Sequence, residues 1–376
     1  MDMDTPLYHW GPTAQLLLLG AMMAALPLAW VWWRFRGKGS QAWVSKLTWV
    51  TLFLTFDLVL FGSFTRLSDS GLGCPDWPGC YGQATPVGAK SQIQAAQDLM
   101  PHGPVTHGKA WVEMVHRYLA TGVGALILVL CVQAWRRHWR RDPNAGAWGA
   151  TLTLLWVCLQ GAFGALTVTM KLFPAIVTLH LMGGMVLLAL LARQAARLQA
   201  ASNPSPGPHG AGRLRPWLVL GLALLGVQIA LGGWVSTNYA VLVCDTFPMC
   251  QGSYWPEMAF EQGFQIWRPL GYNAWGELLS FQALTAIHYT HRLAAYAVIP
   301  GMLWLAWVMT RAGRVKHGRV LASLVLLQFI TGLSNVVLGW PMVAAVMHTG
   351  GAAAMVVVLV LTWPRSYPPT SHGLFA

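Results

Sequence analysis

Nine stretches of roughly 18 or more predominantly apolar residues recur along this 376-residue chain, and they narrow its possible folds more than any other feature. About 20 residues of helix cross a hydrocarbon layer. Within lipid each backbone N–H and C=O needs a partner from the chain itself, so spanning segments are helices or closed barrels, and runs this long read as helices. They fall near 14–33, 47–65, 111–134, 147–169, 174–195, 217–238, 283–310, 318–338 and 341–363. The expected fold is all-α, a polytopic membrane protein. A composition of 55% hydrophobic and only 10% charged residues excludes an ordinary soluble domain. The first run is not read as a signal peptide, because Asp2 and Asp4 precede it and Arg34, Arg36 and Lys38 follow it.

Charge placement sets the expected orientation. If 34–46, 135–146, 196–216, 311–317 and the C-terminal tail face the cytoplasm, they and the adjoining helix ends hold 17 of the 24 Lys and Arg. That bias places the N-terminus outside and the C-terminus inside. The net charge of +12 then reflects topology and attraction to anionic membrane lipid, and no nucleic-acid partner is expected.

Two outer loops resemble each other. G-S-F-T-R-L-S-D-S-G-L-G-C-P-D-W-P-G-C-Y-G begins at Gly62, and G-G-W-V-S-T-N-Y-A-V-L-V-C-D-T-F-P-M-C-Q-G begins at Gly232, an offset of 170 residues. L-Q-G-A-F-G from Leu159 matches L-Q-F-I-T-G from Leu327. His180 with Gly183–Gly184 matches His348 with Gly350–Gly351, and W-V-E-M-V-H-R from Trp111 has a partner in H-Y-T-H-R from His288. Spans two to five and six to nine therefore read as two copies of a four-helix bundle. Each copy has an even number of spans, so both enter the membrane in the same direction, related by a pseudo-twofold axis along its normal. The expected organisation is an accessory N-terminal helix and loop (1–46), one bundle (47–195), a Pro/Gly-rich cytoplasmic linker (196–216), a second bundle (217–363) and a tail (364–376).

Each copy supplies a histidine near the outer end of its second helix, His116 or His291, and another in its fourth, His180 or His348. Ionisable groups within a bilayer usually face a bundle interior or a cavity. A lone intramembrane histidine can serve as an interhelical hydrogen-bonding residue. Four at matching positions of a repeat favour ligation, and two imidazoles from facing helices suit a haem iron held from both sides. Zinc fits less well, since no Cys or carboxylate lies at short ligand spacing. Arg66, Arg117 and Arg292 are basic residues on the outer side, where carboxylate-bearing haem edges would explain them. Glu113 lies three residues before His116, on nearly the same helix face, and His288 takes that slot in the second copy. Such a carboxyl could move protons or could simply pair with Arg117.

Cys74/Cys80 and Cys244/Cys250 lie in the outer loops, on the oxidising side, and are expected to form two disulfides, either as braces or as a redox relay. Cys131 and Cys158 sit within spans and read as buried, inert thiols. Asp57, in the second span, has no counterpart in the repeat and would hydrogen-bond a neighbouring helix or assist a proton path. Gln160, Gln228 and Gln328, each followed four residues later by Gly, read as marks of close helix packing.

F-T-R-L-S-D-S-G-L-G-C-P-D-W-P-G-C, E-M-V-H-R with H-Y-T-H-R, and His180 with His348 together resemble the haem A synthases over about residues 47–363. The resemblance implies oxidation of the C8 methyl group of haem O to the formyl group of haem A, for terminal cytochrome oxidases. It implies that His116 and His180 flank the substrate haem, that Glu113 is the essential acid, and that His291 and His348 ligate a haem b. The cysteine pairs resemble those proposed to pass electrons. It further implies a bacterial-type inner membrane with the Cys-containing loops periplasmic, and haem O synthase and oxidase assembly proteins as partners. The electron donor or acceptor and self-association into a homo-oligomer stay open. The competing readings are a bis-His cytochrome b that oxidises quinol, and a transporter, although here the histidines cluster toward one face and the midplane is nearly empty of charge apart from Asp57.

Overall fold

The computed structural model describes residues 10–37, 39–202 and 211–363. Asp2, Asp4, Lys38, residues 203–210 of the linker and the tail 364–376, all used in the charge and domain readings, lie outside the described residues. Eleven α-helices follow one another: α1 (Trp10–Phe35), α2 (Ser40–Leu67), α3 (Lys90–Leu99), α4 (His107–Trp139), α5 (Ala147–Thr169), α6 (Pro174–Ser202), α7 (Arg215–Thr237), α8 (Phe260–Gly263), α9 (Phe281–Arg311), α10 (Val315–Val337) and α11 (Met342–Leu361). Among the described residues nine of these helices, all but α3 and α8, are long and apolar enough to cross a membrane. No named strand occurs among the described residues, and the protein is an all-helical, multi-pass membrane protein.

Helix contacts close two rings of four. α2 packs on α4 and α6, and α5 completes that ring; α7 packs on α9 and α11, and α10 completes the other. The rings meet where α2 and α6 lie against α11 and α6 against α7. α1 stands outside both and packs on α4 and α2, where Gly20 lets it come up against Thr121. Buried Leu, Ile, Val and Met from α2, α4, α6, α7, α9, α10 and α11 form one continuous core between the rings, including Leu126, Leu188, Leu191, Leu218 and Leu225.

The helices overrun the apolar runs at their outer ends because polar caps start them early. Thr106 Oγ1 accepts from the Lys109 N–H at 3.3 Å and Ser280 Oγ accepts from Ala283 at 3.2 Å, placing the starts of α4 and α9 at His107 and Phe281. Left-handed backbone recurs at matched points: Asp69 and Tyr239 after α2 and α7, and Tyr81 and Gln251 after the second cysteine of each loop. The short amphipathic α3, absent from the sequence reading, is a single polar stretch that buries Ile93 against the first cysteine loop.

Candidate functional site

Each of the four histidines faces a glycine of the neighbouring helix. A Cβ at Gly62 on α2 would lie 2.9 Å from His116 Nε2 on α4, and one at Gly232 on α7 would lie 2.9 Å from His291 Cε1 on α9. A Cβ at Gly332 on α10 would lie 3.1 Å from His348 Cε1 on α11, and one at Gly164 on α5 would lie 3.5 Å from His180 Cε1 on α6. Three of these distances are tighter than side-chain contacts normally tolerate, so missing side chains make room for the rings. His116 is also stacked on Phe61, with centroids 6.4 Å apart and planes 9° apart.

The four imidazoles line one cavity of about 1150 Å³ whose walls come from both helix rings, together with Glu113, His288, Arg66, Arg117 and Arg292. That volume exceeds the ~300–1,000 Å³ of an ordinary small-molecule site. Among the described residues no three metal-binding side chains converge.

Above the histidines, one arginine per ring holds a cysteine loop. Arg117 Nη1 donates to the carbonyls of Asp76 at 3.0 Å, Pro78 at 3.1 Å and Gly79, and its Nη2 pairs with Glu113. Arg292 Nη1 donates to the carbonyls of Thr246 at 2.8 Å and Met249 at 3.0 Å, and Nη2 to that of Cys244 at 3.3 Å. Glu113 is buried, and its Oε2 accepts the Cys74 N–H at 2.8 Å. In the second ring His288 Nδ1 donates to the Ala240 carbonyl at 2.8 Å. Both cysteine pairs, Cys74–Cys80 and Cys244–Cys250, are disulfides with all four residues shut off from solvent.

The ends of α2 and α7 clasp each other. Arg66 Nη2 donates to the Ser236 carbonyl at 2.6 Å, its guanidinium lies 4.1 Å from the Tyr239 ring centroid, and the Tyr239 hydroxyl donates to Asp69 Oδ1 at 2.6 Å. Arg66 Nε is buried with no protein partner.

Comparison with known proteins places this geometry in a family. The COX15-CtaA family model, described as "Cytochrome oxidase assembly protein", matches residues 45–360. A Shewanella oneidensis protein named "Heme A synthase" is 38% identical over 326 residues, covering 84% of this chain and 95% of that protein. Proteins of the same name from Chelativorans sp. and Caulobacter vibrioides are 28% and 27% identical, covering 85% and 81% of this chain and 90% of each relative. The chain belongs to the COX15-CtaA family. The family match begins at residue 45, after α1, so the COX15-CtaA portion comprises α2 to α11.

Within this COX15-CtaA chain, His116, His180, His291, His348, Glu113, Arg66, Arg117 and Arg292 border one cavity, whereas Cys74, Cys80, Cys244 and Cys250 do not. Arg117 and Arg292 direct most of their donors at loop carbonyls, a duty that sequence reasoning did not assign, because backbone acceptors leave no side-chain signature. Glu113 is both paired with Arg117 and bonded to the loop. Cys131 is buried, but Cys158 is exposed and borders the cavity, since α5 packs only on α4 and α6 and leaves its other face open. Asp57 is exposed, does not border the cavity and has no hydrogen bond to a neighbouring helix among the described residues. Gln228 and Gln328 reach the histidines as well as marking helix packing: Gln228 Nε2 lies 3.1 Å from His291 Nδ1, and Gln328 Nε2 donates to the His348 carbonyl at 2.9 Å. The glycines four residues after Gln160, Gln228 and Gln328 are three of the four histidine contacts.

Proposed function

We propose that this chain is a haem A synthase, a membrane oxidoreductase converting the C8 methyl group of haem O to the formyl group of haem A for terminal cytochrome oxidases. The observation that carries the reading is the set of four imidazoles, each set against a neighbouring helix's glycine and all bordering one cavity, in a COX15-CtaA chain with relatives of that name.

The residues fit a porphyrin iron. The His180 Nδ1 is buried with no partner, and the glycine cradles leave room for rings that a Cβ would displace. His116 and His180 would hold the substrate haem; His291 and His348 would hold a haem b. When bound, the iron supplies the oxidising chemistry, and the protein supplies position, protons and the exclusion of water. Glu113 is the one carboxylate bordering the cavity among the described residues, so it is assigned as the group that would hold or release a proton at Oε1 or Oε2 during the reaction. Arg117 pins Glu113 to the loop above it. Arg66, with an unused buried Nε, is assigned to a haem carboxylate, while Arg117 and Arg292 act mainly as loop anchors. The shielded disulfides support the brace reading, because exchange needs an accessible sulfur.

The two rings are read as copies inserted in the same direction. The cysteine loops are assigned to the periplasmic side of a bacterial inner membrane by the basic bias of the opposite loops. Oxidase assembly proteins are the assigned partners, on the strength of the family's description, and a haem O synthase is assigned because the proposed reaction needs haem O.

Pigment extraction with identification by mass tests the reading. Cells supplying haem O should yield haem A when they carry this chain. Haem B as the only haem held by the purified protein, with the cells' haem O left unconverted, would overturn it in favour of an electron carrier.

A further inference from the structure

The two histidine pairs differ in what holds their rings. Thr331 Oγ1 lies 3.0 Å from His348 Nδ1, and its own hydrogen is donated to the Leu327 carbonyl at 2.7 Å. The hydroxyl must therefore accept from the ring, so Nδ1 carries the proton and Nε2 keeps its lone pair for a ligand. Gln328 fixes the backbone of the same histidine at 2.9 Å. On the facing helix pair, the Gln228 amide nitrogen donates to the His291 carbonyl at 3.1 Å and so fixes the backbone of that histidine as Gln328 fixes that of His348.

The first ring has no such grip. The positions equivalent to Gln228 and Thr331 are Leu58 and Phe163, four and one residues before Gly62 and Gly164. Neither side chain can hydrogen-bond. His180 Nδ1 is buried without a partner, and Gln160, the counterpart of Gln328, packs its amide against Gly183 with its Oε1 unpaired. His116 has its stacking contact with Phe61 and no hydrogen bond to its ring among the described residues.

We propose that Thr331 is a positioning residue that makes the His291/His348 pair a retaining site for haem, and that Phe163 at the matching position makes the His116/His180 pair a releasing one. The inference rests on the haem reading above. A ligating imidazole whose second nitrogen is hydrogen-bonded is fixed in tautomer and orientation and is the stronger donor, and losing such a partner typically costs about 10- to 100-fold in metal affinity. A resident cofactor must stay through every turnover, whereas a substrate haem must leave as product. The same fold achieves both by exchanging one polar side chain, Thr331, for an apolar one, Phe163.

The test uses the full-length protein in detergent. Each bound haem is identified by mass and counted per chain, and its transfer to an excess of a haem-scavenging apo-globin is timed. Thr331→Val should speed loss of haem B by about 10- to 100-fold while leaving loss of the other haem unchanged. Thr331→Ser, which keeps the hydroxyl, should retain haem B as the unaltered protein does, and Phe163→Thr should slow departure of the other haem. Unchanged haem B loss in Thr331→Val would overturn the inference, as would equal loss rates for the two haems in the unaltered protein. An unaltered protein that binds no haem at all would instead overturn the underlying reading.

Discussion

Glu113 on α4 accepts the backbone N–H of Cys74 at 2.8 Å, so the one carboxylate bordering the histidine cavity is tied to the disulfide loop above it. The acid, its arginine and the loop form one unit, and changes to each should have separable consequences.

Replacing Glu113 by Gln keeps the shape and one acceptor for Cys74 but removes the titratable proton. A positioned acid or base typically contributes 10²–10⁴-fold to rate. Glu113→Gln should retain its haems and its helical circular dichroism while haem A formation falls by about 10²-fold or more. Glu113→Ala should likewise fold and accumulate haem O or a hydroxylated intermediate. Normal haem A output from either would remove Glu113 from the reaction.

Arg292→Ala strips donors from three loop carbonyls. Hydrogen bonds to a charged group are worth roughly 1.5–3 kcal/mol each, so the loop from Cys244 to Ser253 should lose order before the helices do. Hydrogen exchange should show faster exchange confined to this loop. Protection equal to the unaltered protein would show that the disulfide alone holds it.

The glycine contacts predict a ranking. Adding a methyl group in a packed interior costs about 1–3 kcal/mol, against a gain of up to ~1 kcal/mol in helix propensity over Gly. Gly62→Ala and Gly232→Ala should reduce haem content most, Gly332→Ala somewhat less, and Gly164→Ala least, following 2.9, 2.9, 3.1 and 3.5 Å. Extracted haem per chain measures this, and a reversed order would contradict the cradle argument.

Tyr239 joins the two rings through Asp69, and Tyr239→Phe should lower thermal stability by about 1 kcal/mol, the usual worth of one such bond. Burial, opposed by Arg66 and aided by the Asp69 carboxylate, raises the Tyr239 phenol above its ordinary pKa. The folded state thus favours the protonated phenol. Its contribution should be intact below about pH 10 and vanish as pH rises through the raised value, a loss absent from the phenylalanine variant.

Much of this was legible in the chain. Nine spans stand out because lipid demands long apolar helices, and His116, His180, His291 and His348 stand out because imidazole is rare in such helices. Other features were not. The acceptors for Arg117 are the carbonyls of Asp76, Pro78 and Gly79, and carbonyls are the same in any sequence. Exposure of Cys158 depends on α5 having neighbours on one side only. The glycine contacts left a partial trace, since Gly164, Gly232 and Gly332 each follow a glutamine by four residues, but the histidines they meet lie on other helices. Thr331 and Phe163 carried the least signal: the difference between them matters only once His348 and His180 are known to stand beside them.

The central claim is that paired imidazoles grip an iron porphyrin in each ring. Electron paramagnetic resonance of the purified ferric protein, compared with His348→Ala and His180→Ala, tests it most directly. The account predicts a low-spin, bis-imidazole signal from the His291/His348 haem that turns high-spin in His348→Ala and persists in His180→Ala. A low-spin signal untouched by His348→Ala would contradict it.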